Sequence, residues 1–462
     1  MRYLSLCLQL LLTCLLLAPA GMHAQRLRVS DDRRFLVRED GTVFFYLGDT
    51  AWELFHRLTR EQADQYLEDR ARKGFNVVQA VALAELDGLN TPNPYGHKPL
   101  IDNDPTRPNE PYFEHVDYIV NKANSLGIYV GLLPTWGDKF NKKWGVGPEI
   151  FTPENARVYG KFIGARYKSN NIIWIMGGDR PIETELQRNI VNAMAEGIRE
   201  SVGNAHLMTY HIWGEHSSSE PFHHAPWLDF NMIQSGHGVG LDGKNFELVS
   251  RDYHLTPVKP TFDGEPRYED IPVNFRADHG RYTAFDVRQA AYFSVFSGAM
   301  GHTYGNNNIW QMYDRDKTPI IDARFPWYEA IHHIGATQMG YVRRLFESRP
   351  FLELVPAQDA LDPLLTPHMH LIRAAKTQSG SCVMAYTCYG EPIRIRTAAL
   401  SGTNWVAWWY NPTEGKATKI GEFAQGPETL TFTPPSQGRI NDWVLVVDDA
   451  ARHFPAPGTV KP

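Results

Sequence analysis

In Ile172-Ile173-Trp174-Ile175-Met176-Gly177-Gly178-Asp179-Arg180, five apolar residues in a row give way to two glycines and a charged pair. A run with no polar face reads as a strand buried on both sides, the pattern of a parallel sheet sheathed in helices. Helical patterns flank it at 154–167 and 182–202, and the alternation continues in both directions. Strand-like runs at 44–48, 75–83, 128–133, 207–212, 230–234, 261–263 and 302–304 are mostly followed by helical stretches, at 59–73, 113–126, 247–253, 285–297 and 327–344. Thr59 and Gln62 make a capping box at the start of the first helix, and Gly74 closes it. Eight strands alternating with helices over about 300 residues predict a (β/α)8 TIM barrel. An open doubly wound sheet is the rival fold, and no glycine-rich phosphate fingerprint follows the first strand to support it.

From about Pro350 the pattern changes to short strands at 368–375, 382–389, 393–396, 405–410, 430–432 and 443–447, broken by turn signals such as Gly390-Glu391-Pro392. These predict a small all-β sandwich. The expected organisation is a signal peptide over 1–24, the barrel over 25–350 and the β domain over 351–462. No Pro/Ser-rich linker separates the last two, so they are expected to pack together. Cys382 and Cys388 lie on one predicted strand, too far apart along it for a disulfide, which predicts two unbridged, partly buried thiols. His368 and His370 read as strand surface.

The first 24 residues carry Arg2, an apolar run over 4–17 and small residues at Ala18, Ala20 and Ala24. That is the form of a cleaved export signal, which places the mature chain in the periplasm or outside the cell. Cys14 lacks the small residues that would mark a lipidation site before it. No other run approaches membrane length, so no membrane span is expected. A net charge of −6 with mixed signs leaves no basic footprint for nucleic acid. Aromatic residues make up 12% of the chain; in an exported protein such richness suits stacking on sugar rings, although buried core aromatics account for many of them.

In such a barrel the working residues lie at the C-terminal ends of the strands and in the loops that follow. Those positions hold Asp49 and Trp52, Glu85, Trp136 and Asp138, Asp179 and Arg180, His211 and Trp213, His237, Glu265 and Arg267, and His302 and Tyr304. Cleaving a glycosidic bond needs two carboxyl groups across one sugar. Asp179, ending strand four, and Glu265, ending strand seven, are the candidate catalytic pair. Gly177 and Gly178 would let a substrate approach the backbone, and Arg180 or Arg267 would keep a carboxylate ionised. The plainer readings are a helix cap for Asp179 and an ion pair with Arg267 for Glu265. Glu85 and Asp138 are rivals for the acid. Asp49 binds a hydroxyl or caps a turn, and the three histidines line a polar site or ligate a metal. The remaining residues are candidate substrate-binding groups, with neither metal nor cofactor expected. Esterase and metalloprotease signatures are absent.

These same stretches resemble the apiosidase-like glycoside hydrolases, from about residue 27 to 350. The likeness is carried by Leu47-Gly48-Asp49-Thr50-Ala51-Trp52-Glu53-Leu54-Phe55, Lys73-Gly74-Phe75-Asn76-Val77-Val78-Gln79, Leu133-Pro134-Thr135-Trp136-Gly137-Asp138, Ile172–Asp179 and Phe262-Asp263-Gly264-Glu265-Pro266-Arg267-Tyr268-Glu269. Trp408-Trp409-Tyr410-Asn411-Pro412 and Asp442-Trp443-Val444-Leu445-Val446 resemble a small β domain that often follows such barrels and bears a collagen-binding label. The resemblance implies Asp179 as acid/base and Glu265 as nucleophile of a retaining glycosidase. It also implies an oligo- or polysaccharide substrate, namely apiose-linked side chains of rhamnogalacturonan II in plant pectin. The same machinery with rhamnose, arabinofuranose or galactose as the sugar, and a non-catalytic glycan-binding barrel, are the alternatives.

Overall fold

The computed structural model describes residues 26–241, 243–364 and 368–460; residues 1–24, read above as a signal peptide, and with them Cys14, lie outside the described residues. The apolar runs become eight parallel strands: β1 Tyr46–Thr50, β2 Val77–Leu83, β3 Tyr129–Thr135, β4 Ile172–Gly177, β5 Met208–His211, β6 Asn231–Gln234, β7 Thr261–Asp263 and β8 Gly301–Tyr304. Parallel ladders join β1 through β5 in sequence, β6 through β8, and β8 to β1. The β5–β6 seam is held by single bonds, from Asp229 N–H to Met208 O and from the Thr209 hydroxyl to Phe230 O. The result is a TIM barrel.

Helices α1 Arg60–Arg72, α2 Glu110–Ser125, α3 Pro153–Arg166, α4 Glu185–Val202, α5 Ser219–Phe222, α6 Asn245–Tyr253, α7 Ala284–Phe296 and α8 Ile334–Glu347 surround it. Four of them open on a threonine whose hydroxyl and third helical residue close a reciprocal cap: Thr59 with Gln62, Thr152 with Asn155, Thr184 with Gln187 and Thr283 with Asp286. Such caps satisfy backbone N–H groups that have no partner within the helix. The helix expected over 327–344 is broken, with a short turn at Trp327–Ala330 before α8.

Strand alternation decides which way each strand-end residue faces. β1 runs two residues further than expected, so Asp49 lies within it. Residues two apart share a face. Tyr46 points inward onto Phe262, at 4.5 Å between ring centroids, whereas Asp49 points outward to α1. Tyr304 pairs with Asp49, and His302 with Leu47, so both of those β8 residues also face the helices.

The β domain consists of β9 Leu354–Pro356, β10 Arg373–Thr377, β11 Cys382–Thr387, β12 Ile393–Arg396, β13 Asn404–Asn411, β14 Lys416–Ala424, β15 Thr429–Phe432 and β16 Trp443–Asp449. Six strands form one sheet in the order β9-β10-β11-β16-β13-β14, and β12 pairs with β15 across a core that includes Val383, Trp405 and Phe432. β14 escapes the sequence reading because its pattern is mostly exposed. His368 sits in a turn at φ 61 and His370 in a single 3-10 turn, so neither is on a strand as expected. Cys382 and Cys388 are fully buried and carry no disulfide.

The outer face of the large sheet packs on α7. Cys382, Met384 and Tyr386 belong to the same apolar cluster as the barrel interior, while Val383 and Ala385 face the sandwich core. Tyr386 stacks on Tyr292 of α7 at 4.7 Å and 17°. Twelve residues of α7 are buried, as expected for a helix covered on both sides. A buried ion pair fixes the joint: Arg288 reaches Asp442 at 2.6 Å and the Gln338 side chain at 2.7 Å. Removing one member of a buried pair strands the other without a partner. Asp442→Ala is therefore expected to cost about 3 kcal/mol or more of stability, measured by urea unfolding. A loss below about 1 kcal/mol would show that the joint does not depend on it.

Candidate functional site

Where β4 ends, the chain turns through three consecutive left-handed residues, Gly177 (φ 85), Gly178 (φ 137) and Asp179 (φ 51). A Cβ on Gly177 would lie 2.4 Å from the Tyr210 ring, and one on Gly178 would lie 2.8 Å from Trp136. The glycines thus permit a tight turn against two aromatic rings, not an approach of substrate to backbone. Asp tolerates this conformation better than most residues, and the turn aims its carboxylate into a cavity of about 640 Å³ at the C-terminal mouth of the barrel.

Glu265 enters the same cavity from the end of β7. Nε2 of His211 lies 2.8 Å from its Oε2, and Nε2 of His237 lies 3.1 Å from its Oε1. Nδ1 of His211 accepts the main-chain N–H of Asp179 at 2.9 Å. That bond leaves the ring proton on Nε2, the nitrogen that faces Glu265. Burial alone would raise the pKa of Glu265, but the two imidazoles beside it outweigh burial and hold the carboxyl at about 2.

Asp179 goes the other way. Burial and then the Glu265 charge push its pKa up, against opposing pulls from Arg180, His211 and a hydrogen bond from the Trp144 indole. One carboxyl is an anion over nearly the whole pH range while the other, beside it, retains its proton more readily. That division suits acid-assisted cleavage of an acetal. Trp136 Nε1, Gln234 Oε1 and His237 Nδ1 line the cavity, buried and without hydrogen-bond partners among the described residues. Buried polar atoms are normally satisfied; a ligand rich in hydroxyl groups would satisfy these.

The candidates divide clearly. Trp52, Glu85, Trp136, Trp213 and His237 line the cavity with Asp179 and Glu265. His211 and Arg180 lie just behind it, Arg180 donating to the Asp179 carbonyl at 2.7 Å. Five candidates lie elsewhere. Asp49 accepts hydrogen bonds from Tyr66 and Arg70 in α1. Asp138 pairs with Lys139 at 2.7 Å and accepts from Gly147 N–H. Arg267 does not pair with Glu265; it donates to Asp286 O, Gln289 and Leu241 O. His302 is buried on the helix side, where burial lowers its pKa to about 3, and Tyr304 donates to Glu269 at 2.6 Å. Sequence reasoning missed Trp144, Glu215, Gln234, Tyr268, Phe275 and Trp310 of the cavity wall. Tyr268 stood three residues after Glu265 in a stretch already singled out, and Trp144 follows two lysines in a loop with no periodic pattern. Among the described residues, no group of three or more His, Cys, Asp or Glu side chains is placed to hold a metal ion.

If the histidines set the charge of Glu265, His237→Ala should raise its titration by about one pH unit or more. Carboxyl-carbon NMR of protein labelled at glutamate reads this directly. A titration still centred near 2 in the variant would remove His237 from the account.

A family model described as "Apiosidase-like, catalytic domain" matches residues 30–353, and a second, whose description refers to the collagen-binding domain of a collagenase, matches residues 355–448. A solved structure described as a glycoside hydrolase is similar at 34% identity and a TM-score of 0.84, covering 94% of this chain and 98% of the other. Another, a crystal structure of a family 5 glycoside hydrolase from Bacteroides vulgatus, is similar at 33% identity and a TM-score of 0.85, covering 94% and 96%. No curated protein matches. With its barrel, its carboxyl pair and these relatives together, the chain belongs to the apiosidase-like family and is a glycoside hydrolase.

Proposed function

We propose that this is an exported apiosidase, releasing apiose-linked side chains of rhamnogalacturonan II by a retaining mechanism. The observation that carries the mechanism is the split between Glu265, held as an anion by two imidazoles, and Asp179, whose pKa is raised. Glu265 attacks the anomeric carbon as the glycosidic C–O bond breaks, and the proton of Asp179 passes to the departing oxygen. Asp179, now a carboxylate, takes a proton from water; the water oxygen attacks the same carbon and releases the Glu265 carboxylate. The choice of sugar is supported by the family and by charge. Glu85, Asp179, Glu215 and Glu265 line the cavity, and among the described residues its lining contains neither Lys nor Arg. Such a wall favours a neutral sugar, as apiose is, over a uronate at the point of cleavage. Export is supported by the composition of residues 1–24.

Rhamnogalacturonan II fragments are the substrate to test, with product identification. Asp179→Ala is expected to lose about 10²- to 10⁴-fold on the glycan and to recover partly on activated aryl apiosides. Glu265→Ala should be inactive on both, because a good leaving group does not replace a nucleophile. Azide should rescue Asp179→Ala with retained configuration and Glu265→Ala with inverted configuration. The opposite stereochemistry would exchange the two roles, and release of a sugar other than apiose would overturn the substrate.

A further inference from the structure

Trp144 is a large exposed aromatic bound to a half-buried acid. It stands 55% exposed at the cavity mouth, yet its indole N–H donates to Oδ2 of Asp179 at 2.9 Å. The Arg180 guanidinium, itself buried, covers one face of the ring at 4.4 Å from the centroid. Trp213 stands 6.4 Å away at 31°. The loop carrying Trp144 is pinned on both sides: Gly147 N–H donates to Asp138 at 2.8 Å, and Lys143 reaches Glu183 at 2.5 Å. Gly145 fits so closely that a Cβ there would lie 2.3 Å from the Asp138 side chain and 2.5 Å from Arg180. The ring is therefore presented in a set orientation.

We infer that Trp144 is a positioning residue that couples the acid to the leaving group: its N–H orients the Asp179 carboxyl, and its bare face stacks on the sugar ring that departs. This rests on the acid role proposed for Asp179. An acid must come within about 3 Å of the glycosidic oxygen to pass its proton. The departing sugar hangs from that oxygen, so an aromatic ring bonded to the same carboxyl lies beside it. A flat ring with one face open suits the apolar face of a sugar, and the Arg180 cation behind it leaves only the outer face for the ligand.

Trp144→Phe keeps the ring and loses the donor; Trp144→Ala loses both. The test is kcat/KM against pH and KM on rhamnogalacturonan II oligosaccharides. A donor to the ionised carboxyl lowers its pKa, so its loss should move the alkaline limb, where the acid gives up its proton, upward by about half to one pH unit in both variants. Glu265, Glu85, Arg180 and His211, the charged and titratable groups acting on Asp179, are unchanged in both. KM should stay within about twofold in Trp144→Phe and rise about tenfold in Trp144→Ala. Wild-type melting curves for both variants exclude misfolding. An alkaline limb unmoved in Trp144→Phe, where Asp179→Ala abolishes it, would overturn the positioning role. A wild-type KM in Trp144→Ala would overturn the stacking. A limb that survives in Asp179→Ala would instead overturn the acid assignment.

Discussion

One imidazole ring ties the two halves of the site together. His211, at the end of β5, takes the main-chain N–H of Asp179 on one nitrogen and faces Glu265 with the other. The first bond settles the tautomer, which leaves the ring N–H on the side of Glu265. Because the ring is wholly buried, its orientation is held by packing: the Trp52 centroid is 5.2 Å away and the Trp136 centroid 5.7 Å. The left-handed turn at 177–179 is thus both shaped by glycine and fixed by a histidine, and the same histidine keeps the opposite carboxyl ionised. A group that charged or neutralised both acids together would give no division of labour. This one separates them.

The barrel that holds this geometry is not closed off by its own helices alone. α7 is buried on every side and turns Tyr292 and Phe293 toward Tyr386, so it would expose aromatic surface if the β domain were absent. β11 supplies the cover by alternating its side chains between the sandwich core and the barrel. The β domain therefore completes the barrel's packing, whatever its family label says of collagen.

Much of this was legible in the sequence. Continuous apolar runs identify buried parallel strands because no other common element needs them at that length, and the strand ends placed Asp179 and Glu265 correctly at one mouth. The errors have a single physical source. Position after a strand was read as position in the cavity, but side chains alternate, so Asp49, His302 and Tyr304 turned to the helices. Asp138 and Arg267 are polar groups spent on pinning loops. Trp144 was invisible for the opposite reason: it arrives from a loop, eight residues past the Trp136 that follows β3, where no periodicity marks a residue as inward.

The choice of acid among three carboxyls follows from what each one touches. Asp138 is wholly buried against Lys139 and has no path to a ligand. Glu85 does line the cavity, and burial followed by the charges of Glu53, Asp179 and Asp138 pushes its pKa well up. A raised pKa alone therefore does not single out Asp179. Proximity does: after burial, the leading influence on Asp179 is the Glu265 charge, whereas Glu265 is not among the main influences on Glu85. Acid and nucleophile must flank one anomeric carbon, and Asp179 and Glu265 line one cavity with the Glu265 charge acting directly on Asp179.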